Sequence, residues 1–294
     1  MKIAIFGKLA NLNWGLESLL SKHQDRARVP MGLYDDDDLP MILHDDTISH
    51  IVSLQGRRID RNLLRRYKAK KVLWNAEFLP YPGFENDPDA LARLHAIEPL
   101  DDFDLVLNGC PLSTQWLRET RGVSAHWFPM MGVDPLIHRR IGDIHKDIDV
   151  GFYGAPNERR ARIFRNISET LLPRGKTVHW TSAWGEDLIR FINRCKIVLN
   201  LHFTDQLNTE SRVYEVLGCR TACLSEPLSA TDMLGAGKHL ELAEGIEEMV
   251  EGIDFLLGNP EYRERIAVDG YEYVHGKFNI LNVLNMLVNQ CEGA

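Results

Sequence analysis

Arg212 and Glu215 stand three residues apart within LNLHFTDQLNTESRVYEVLGCRTACLSE, residues 199–226. A guanidinium holds phosphate oxygens in a fork, and a carboxylate accepts two hydrogen bonds from a vicinal diol such as that of a ribose. At this spacing on a helix the two share a face, where they could equally form a surface ion pair of little energetic worth. The polar loop HFTDQLNTES (202–211) just before them favours the ligand reading. Asn208, Thr209 or Ser211 can cap the helix and leave its N-terminus for an anion. A second cationic stretch, GAPNERRAR (154–162), puts Gly154 after an apolar run and Arg159, Arg160 and Arg162 in the first turns of a helix. A glycine turn into a helix presents free N–H groups, which suits phosphate. Neither a Walker A lysine nor a GxGxxG is present, so a P-loop or a dinucleotide fingerprint is not supported.

The remaining polar residues carry less. In KKVLWNAEFLPYPGF (70–84), Asn75 and Glu77 follow a strand pattern, and Glu77 is the candidate general base. Gly7, with Asn11 and Asn13 after the first strand, is placed beside an acceptor together with Asn75. The run Asp35 to Asp38 reads as a solvated loop, and DDFD (101–104) precedes a strand and so falls at the wrong end of a sheet for a metal; no metal site and no cofactor are expected. QGRRIDRNLLRRYKAKK (55–71) concentrates basic residues. As a helix it would align Arg57, Arg61, Arg65 and Lys68, either as a solvated face or, less favoured, as a surface for DNA or another acidic polymer.

These groups need elements to place them. The first half alternates apolar runs (2–6, 50–54, 71–74, 105–108, 125–128) with helix-like segments, a βα rhythm that implies a mostly parallel sheet. FPMMGVDP (128–135) and the charged stretch 138–149 mark a linker, after which IDVGFY (148–153) starts a second βα series with strands near 177–180, 197–202, 221–225 and 238–242. The expectation is an α/β protein of two Rossmann-like domains facing across a cleft, residues 1–140 and 141–276, with a last helix in 277–294 crossing back to the first domain. At 294 residues two domains fit; 44% hydrophobic and 26% charged residues are ordinary for a globular chain. No apolar run reaches the roughly 18–20 residues of a membrane span, and MKIAIFG is too short for a secretory signal, so a cytoplasmic protein is expected. A net charge of −8 argues against general nucleic-acid binding, and five scattered cysteines against a disulfide framework.

The second half resembles the C-terminal domain of GT-B glycosyltransferases, and within them the CgeB-type spore-maturation glycosyltransferases. DVGFYG (149–154) resembles the family's opening strand, SRVYEVLGCRTACLSE (211–226) its donor-site helix and next strand, and FLLGNPEYRERIAVDGYEYVHGKFN (255–279) its closing helices. The sequence departs from the family where many members carry a second glycine, because Arg220 follows Cys219. A more distant likeness is to the phage β-glucosyltransferase that modifies DNA bases. The resemblance implies a metal-independent transfer of sugar from a nucleotide-sugar donor, UDP-linked by analogy, to an acceptor hydroxyl. Gly154, Arg159, Arg162, Asn208, Ser211, Arg212 and Glu215 would line the donor site, with Glu215 on the ribose and the arginines on the diphosphate. A sugar-nucleotide epimerase and a non-catalytic nucleotide-sugar-binding protein are the alternatives.

Overall fold

In a computed structural model the described residues are 1–7, 16–42, 45–56, 59–229 and 233–294. Asn11, Asn13, Arg57 and Arg58 lie outside them. The chain divides into two compact units, one made of Met1–Gly132 with Ile280–Ala294 and the other of Val133–Asn279.

The first unit is a parallel sheet of β1 (Ile3–Phe6), β2 (Met31–Tyr34), β3 (His50–Leu54), β4 (Lys70–Asn75), β5 (Leu105–Asn108) and β6 (Ala125–Trp127), in the order β2-β1-β3-β4-β5-β6. Helices α1 (Leu16–His23), α2 (Arg61–Leu64), α3 (Pro88–Ile97) and α4 (Pro111–Arg121) connect the strands. Every residue of β3 is buried, as parallel strands covered on both faces must be, which explains why HIVSL does not alternate with polar residues. Helix α3 begins where Pro88 presets its first turn and Asp87 Oδ1 accepts from Ala90 N at 2.8 Å. The sequence reading missed β2: it is a four-residue edge strand, MGLY, with a glycine inside it.

The basic segment is also corrected. Its only described helix is the four-residue α2, and β4 starts at Lys70, so no basic stripe of several turns exists among the described residues. Arg65 donates to both oxygens of Asp102, at 2.6 and 3.1 Å. Arg61 Nη2 donates to the Ile97 carbonyl at 2.5 Å, and its guanidinium lies over Phe103. The acidic DDFD therefore supplies a counter-charge to the basic segment.

The second unit repeats the plan with α5 (Glu158–Leu171), α6 (Gly185–Arg194), α7 (Ser211–Gly218), α8 (Gly245–Gly258) and α9 (Pro260–Lys277). These join β7 (Ile148–Tyr153), β8 (Val178–Thr181), β9 (Cys195–Asn200), β10 (Ala222–Ser225) and β11 (Glu241–Leu242), in the order β11-β10-β9-β7-β8. The expected strand at 238–242 shortens to β11. Val150, Phe152, Ile197, Leu199 and Leu224 fill the core against Ile167 and Leu171 of α5, Met249 and Ile253 of α8 and Ile266 of α9. Strand order reverses between β7 and β9, and the crevice beyond the carboxyl ends of two such strands is where open α/β sheets take ligands. After α7 the chain turns through Arg220 in the left-handed region, φ 54°, so the turn that a glycine would serve is kept with an arginine in it. All five cysteines are buried free thiols, and no helix among the described residues is long and apolar enough to cross a membrane.

The last helix, α10 (Ile280–Glu292), belongs to the first unit. Val283, Leu284, Leu287 and Val288 are fully buried, and Arg28 Nη2 donates at 2.6 Å to both Asn289 Oδ1 and Glu292 Oε2. The expectation for Leu284→Ala is a loss of about 2–5 kcal/mol in chemical denaturation, from lost burial and the cavity left behind. An unchanged midpoint would show that α10 is not part of this core.

Candidate functional site

The site is built at the carboxyl ends of β7 and β9, from the loop after each strand and the helices α5 and α7 that follow. Strand β7 ends at Tyr153, and Gly154 comes next with φ 134°, a conformation side chains rarely adopt. A Cβ there would sit 2.7 Å from Arg212 Nη2 and 3.4 Å from Arg160 Nη1. The glycine therefore lets two guanidiniums close on the loop backbone. Asn157 then caps α5, accepting from Arg160 N at 2.8 Å.

Arg212 is 5% exposed. A cation so buried must be hydrogen-bonded on several sides. Its Nε donates to the Tyr153 carbonyl at 2.9 Å, and its Nη1 to Asn200 Oδ1 at 2.8 Å, the Leu201 carbonyl at 3.3 Å and Glu210 Oε2 at 2.8 Å. The guanidinium also faces the Phe152 and Tyr153 rings, 4.9 and 5.2 Å from their centroids. No described acceptor meets Nη2, the nitrogen that lies against Gly154.

Glu215, one turn on, is also 5% exposed, and Tyr153 Oη donates to its Oε2 at 2.5 Å. It is not hydrogen-bonded to Arg212, so the reading of these two residues as a surface ion pair fails: both are buried, and Arg212 pairs with Glu210 instead. Burial pushes the Glu215 carboxyl up, against the opposing pull of Tyr153 and Arg212. Burial pushes Glu210 the same way, but Arg212, the His202 contact and Arg160 together hold it well below the usual carboxylate range.

The other arginines divide. Arg159 makes a fork on Glu226, 3.0 and 2.7 Å, and reaches Asp205 at 2.5 Å. Arg160, which the sequence reading did not separate from its neighbours, is 4% exposed and bonded to both oxygens of Glu210, at 3.0 and 2.9 Å. Arg162 is exposed on α5, with no hydrogen bond or ion pair among the described residues. The expected caps of α7 are corrected too. Ser211 is the first helical residue, Glu210 holds the N-cap position, and among the described residues no side chain caps the helix. Asn208 is buried in the same loop. So is Gln206, 1% exposed, whose two amide atoms have no partner among the described residues. An unpaired buried amide calls for a ligand or a water, and nothing in the sequence pattern distinguishes it from any loop glutamine.

In the first unit, Gly7 follows β1 where a Cβ would lie 2.8 Å from Leu54 Cδ1, which explains the glycine by packing. Asn75 is fully buried, its Nδ2 donating at 2.7 Å to both Asn108 Oδ1 and the Glu77 carbonyl. Glu77 Oε2 accepts from Arg93 Nε at 2.9 Å.

Residues 143–289, half of the chain, match the family described as glycosyl transferase-like. Sucrose-phosphate synthase from Thermosynechococcus elongatus is similar over 100% of this chain and 98% of its own, with a TM-score of 0.68 at 10% identity. Anabaena HepE, solved in complex with UDP and glucose, aligns over 100% of both chains with a TM-score of 0.69 at 11% identity. The DNA modifying enzyme β-glucosyltransferase, solved with and without its substrate uridine diphosphoglucose, aligns over 100% of both chains with a TM-score of 0.62 at 10% identity. No curated relative matches the sequence.

Stability should depend on Glu215 in a particular direction. A carboxyl raised by folding stabilises the fold below its unfolded value, about pH 4.3, and loses that contribution as pH rises through the folded value. Glu215→Gln keeps an oxygen for Tyr153 and removes the buried charge. It is expected to melt at or above the wild-type temperature at about pH 8, with the difference narrowing toward about pH 5. A variant several degrees less stable at the higher pH would show that the ionised carboxylate supports the fold.

The family match covers the unit that carries Arg212 and Glu215, both sheets have the parallel α/β plan of GT-B enzymes, and this chain belongs to the glycosyl transferase-like family as a GT-B glycosyltransferase.

Proposed function

We propose that the carboxyl edge of the second sheet binds a nucleotide-sugar donor, UDP-linked, and that the protein transfers its sugar to an acceptor hydroxyl without a divalent metal. One observation carries the reading. Arg212 and Glu215 are buried one turn apart on α7, no described hydrogen bond joins them, and Arg212 Nη2 is left without a described acceptor. A guanidinium nitrogen beside an uncapped helix N-terminus suits the diphosphate, where negative charge builds as the sugar leaves. The carboxyl oxygens of Glu215 accept the ribose diol. Gly154 gives the phosphates access, Arg162 adds positive charge, Arg159 stands at the same edge with its charge met by Glu226 and Asp205, and Asn208 and Ser211 supply hydrogen bonds from the loop and the first turn. The unpaired amide of Gln206 supports a hydroxyl-rich ligand on this loop.

HepE and β-glucosyltransferase, both solved with UDP or a UDP-sugar, support the choice of nucleotide. The Asn-Pro, Glu-Arg-Ile-Ala and Gly-Tyr pattern of residues 255–279 supports the CgeB-type branch of the family. For the acceptor we keep Gly7 and Asn11, with Glu77 as the base that takes the hydroxyl proton and Asn75, fully buried, holding the Glu77 backbone instead of touching the acceptor. DNA is the weaker acceptor, because Arg61 and Arg65 are engaged within the unit.

A thermal-shift panel of UDP, GDP, dTDP and their sugar conjugates, with a chelator present, tests the donor. One nucleotide family is expected to stabilise the wild type and to lose its effect in Arg212→Ala and in Glu215→Gln. No shift by any nucleotide, in folded protein, would overturn the reading. Turnover of a bound donor without any acceptor would point to an epimerase, and binding without transfer or hydrolysis to a sensor.

A further inference from the structure

We infer that Glu210 and Arg160 form a positioning pair: they do not bind the donor themselves but fix Arg212 so that its Nη2, which no described acceptor meets, faces the diphosphate. The inference rests on the donor reading above.

Glu210 is the N-cap residue of α7, yet its carboxylate does not cap the helix. It turns away to the arginines, with Oε2 accepting from Arg212 Nη1 at 2.8 Å and Arg160 Nη2 at 2.9 Å, and Oε1 from Arg160 Nη2 at 3.0 Å and Phe203 N at 3.2 Å. A carboxylate that gives up the cap position leaves the leading N–H groups of α7 without a described side-chain acceptor and spends its charge on orienting its neighbours.

All three guanidinium nitrogens of Arg160 donate within the chain: Nε to the Leu201 carbonyl at 2.9 Å, Nη1 to the Ala155 carbonyl at 3.2 Å and Nη2 to Glu210. Arg160 is thus a brace from the Gly154 loop to the β9–α7 loop. Arg212 differs by one nitrogen. Its Nε and Nη1 are held by Tyr153, Asn200, Leu201 and Glu210, and these bonds set the plane of the guanidinium and leave Nη2 at Gly154. Without the Glu210 bond, Arg212 keeps only the neutral acceptors Tyr153, Asn200 and Leu201 and loses the one described bond to a charged acceptor that fixes its plane. Glu210 is also in reach of His202, whose Nδ1 lies 3.8 Å from Oε1. Because the aim of Arg212 matters only to a phosphate, the pair should affect nucleoside diphosphate and not nucleoside.

The test compares UDP with uridine, by ligand-observed NMR titration of the full chain, in wild type, Glu210→Gln, Glu210→Asp and Arg160→Met. Wild type should prefer UDP to uridine. Glu210→Gln and Arg160→Met should lose about tenfold or more in UDP affinity with uridine affinity unchanged, and Glu210→Asp, which keeps the charge, should recover part of the loss. Equal UDP affinity in wild type and Glu210→Gln would overturn the inference while leaving the donor reading intact. Tighter UDP binding by Glu210→Gln would overturn it in another way, by making Glu210 a competitor of phosphate. Loss of UDP and uridine together would make the pair a support of the fold. A wild type that binds no nucleoside diphosphate overturns the donor reading and this inference with it.

Discussion

A guanidinium taken almost wholly out of water must find acceptors for its donors, and the carboxyl edge of the second sheet is arranged around Arg212 meeting that requirement. Four elements contribute. Strand β7 gives the Tyr153 carbonyl, β9 gives the Asn200 amide, the loop gives Leu201, and the start of α7 gives Glu210. Asn200 is itself fixed by donating to Ser225 Oγ of β10 at 2.8 Å. The ends of three neighbouring strands are thereby locked to one side chain. Gly154 belongs to the same requirement, since any Cβ at that position would displace the guanidinium.

The charges around Arg212 are close to balanced. Arg159, Arg160 and Arg212 face Glu226, Glu210 and Asp205. Such a cluster gains little net stability over an apolar core of similar volume, and its use lies in the directions it imposes. Among the described residues it leaves over one guanidinium nitrogen, an uncapped helix start, a carboxyl whose neutral form is favoured by burial, and an unpaired amide in the loop. The donor proposed above, with a diphosphate, a diol and a sugar, would complete these groups.

Much of this was legible from the residues. The βα rhythm gave both sheets, because parallel strands buried on two faces read as continuous apolar runs. The Arg212 and Glu215 pair was found from its spacing, and the structure removed the competing ion-pair reading by burying both. Arg160 and Glu210 were harder, for a physical reason: spacing along one helix is visible in a sequence, whereas a bond from α5 to the N-cap of α7 spans 50 residues. The basic segment misled in the opposite way. Arg61 and Arg65 face Asp102, 37 residues from Arg65, and Lys70 faces Asp104, partners that a local count of charge does not see. Strand β2 was missed because a short edge strand with a glycine has little pattern to show.

The most direct test is a crystal structure of the protein soaked with UDP. The β-phosphate should lie within hydrogen-bond distance of Arg212 Nη2 and of the first N–H groups of α7, with the ribose hydroxyls on Glu215. UDP bound elsewhere, or a diphosphate held by other residues while Arg212 and Glu215 stay untouched, would contradict the account.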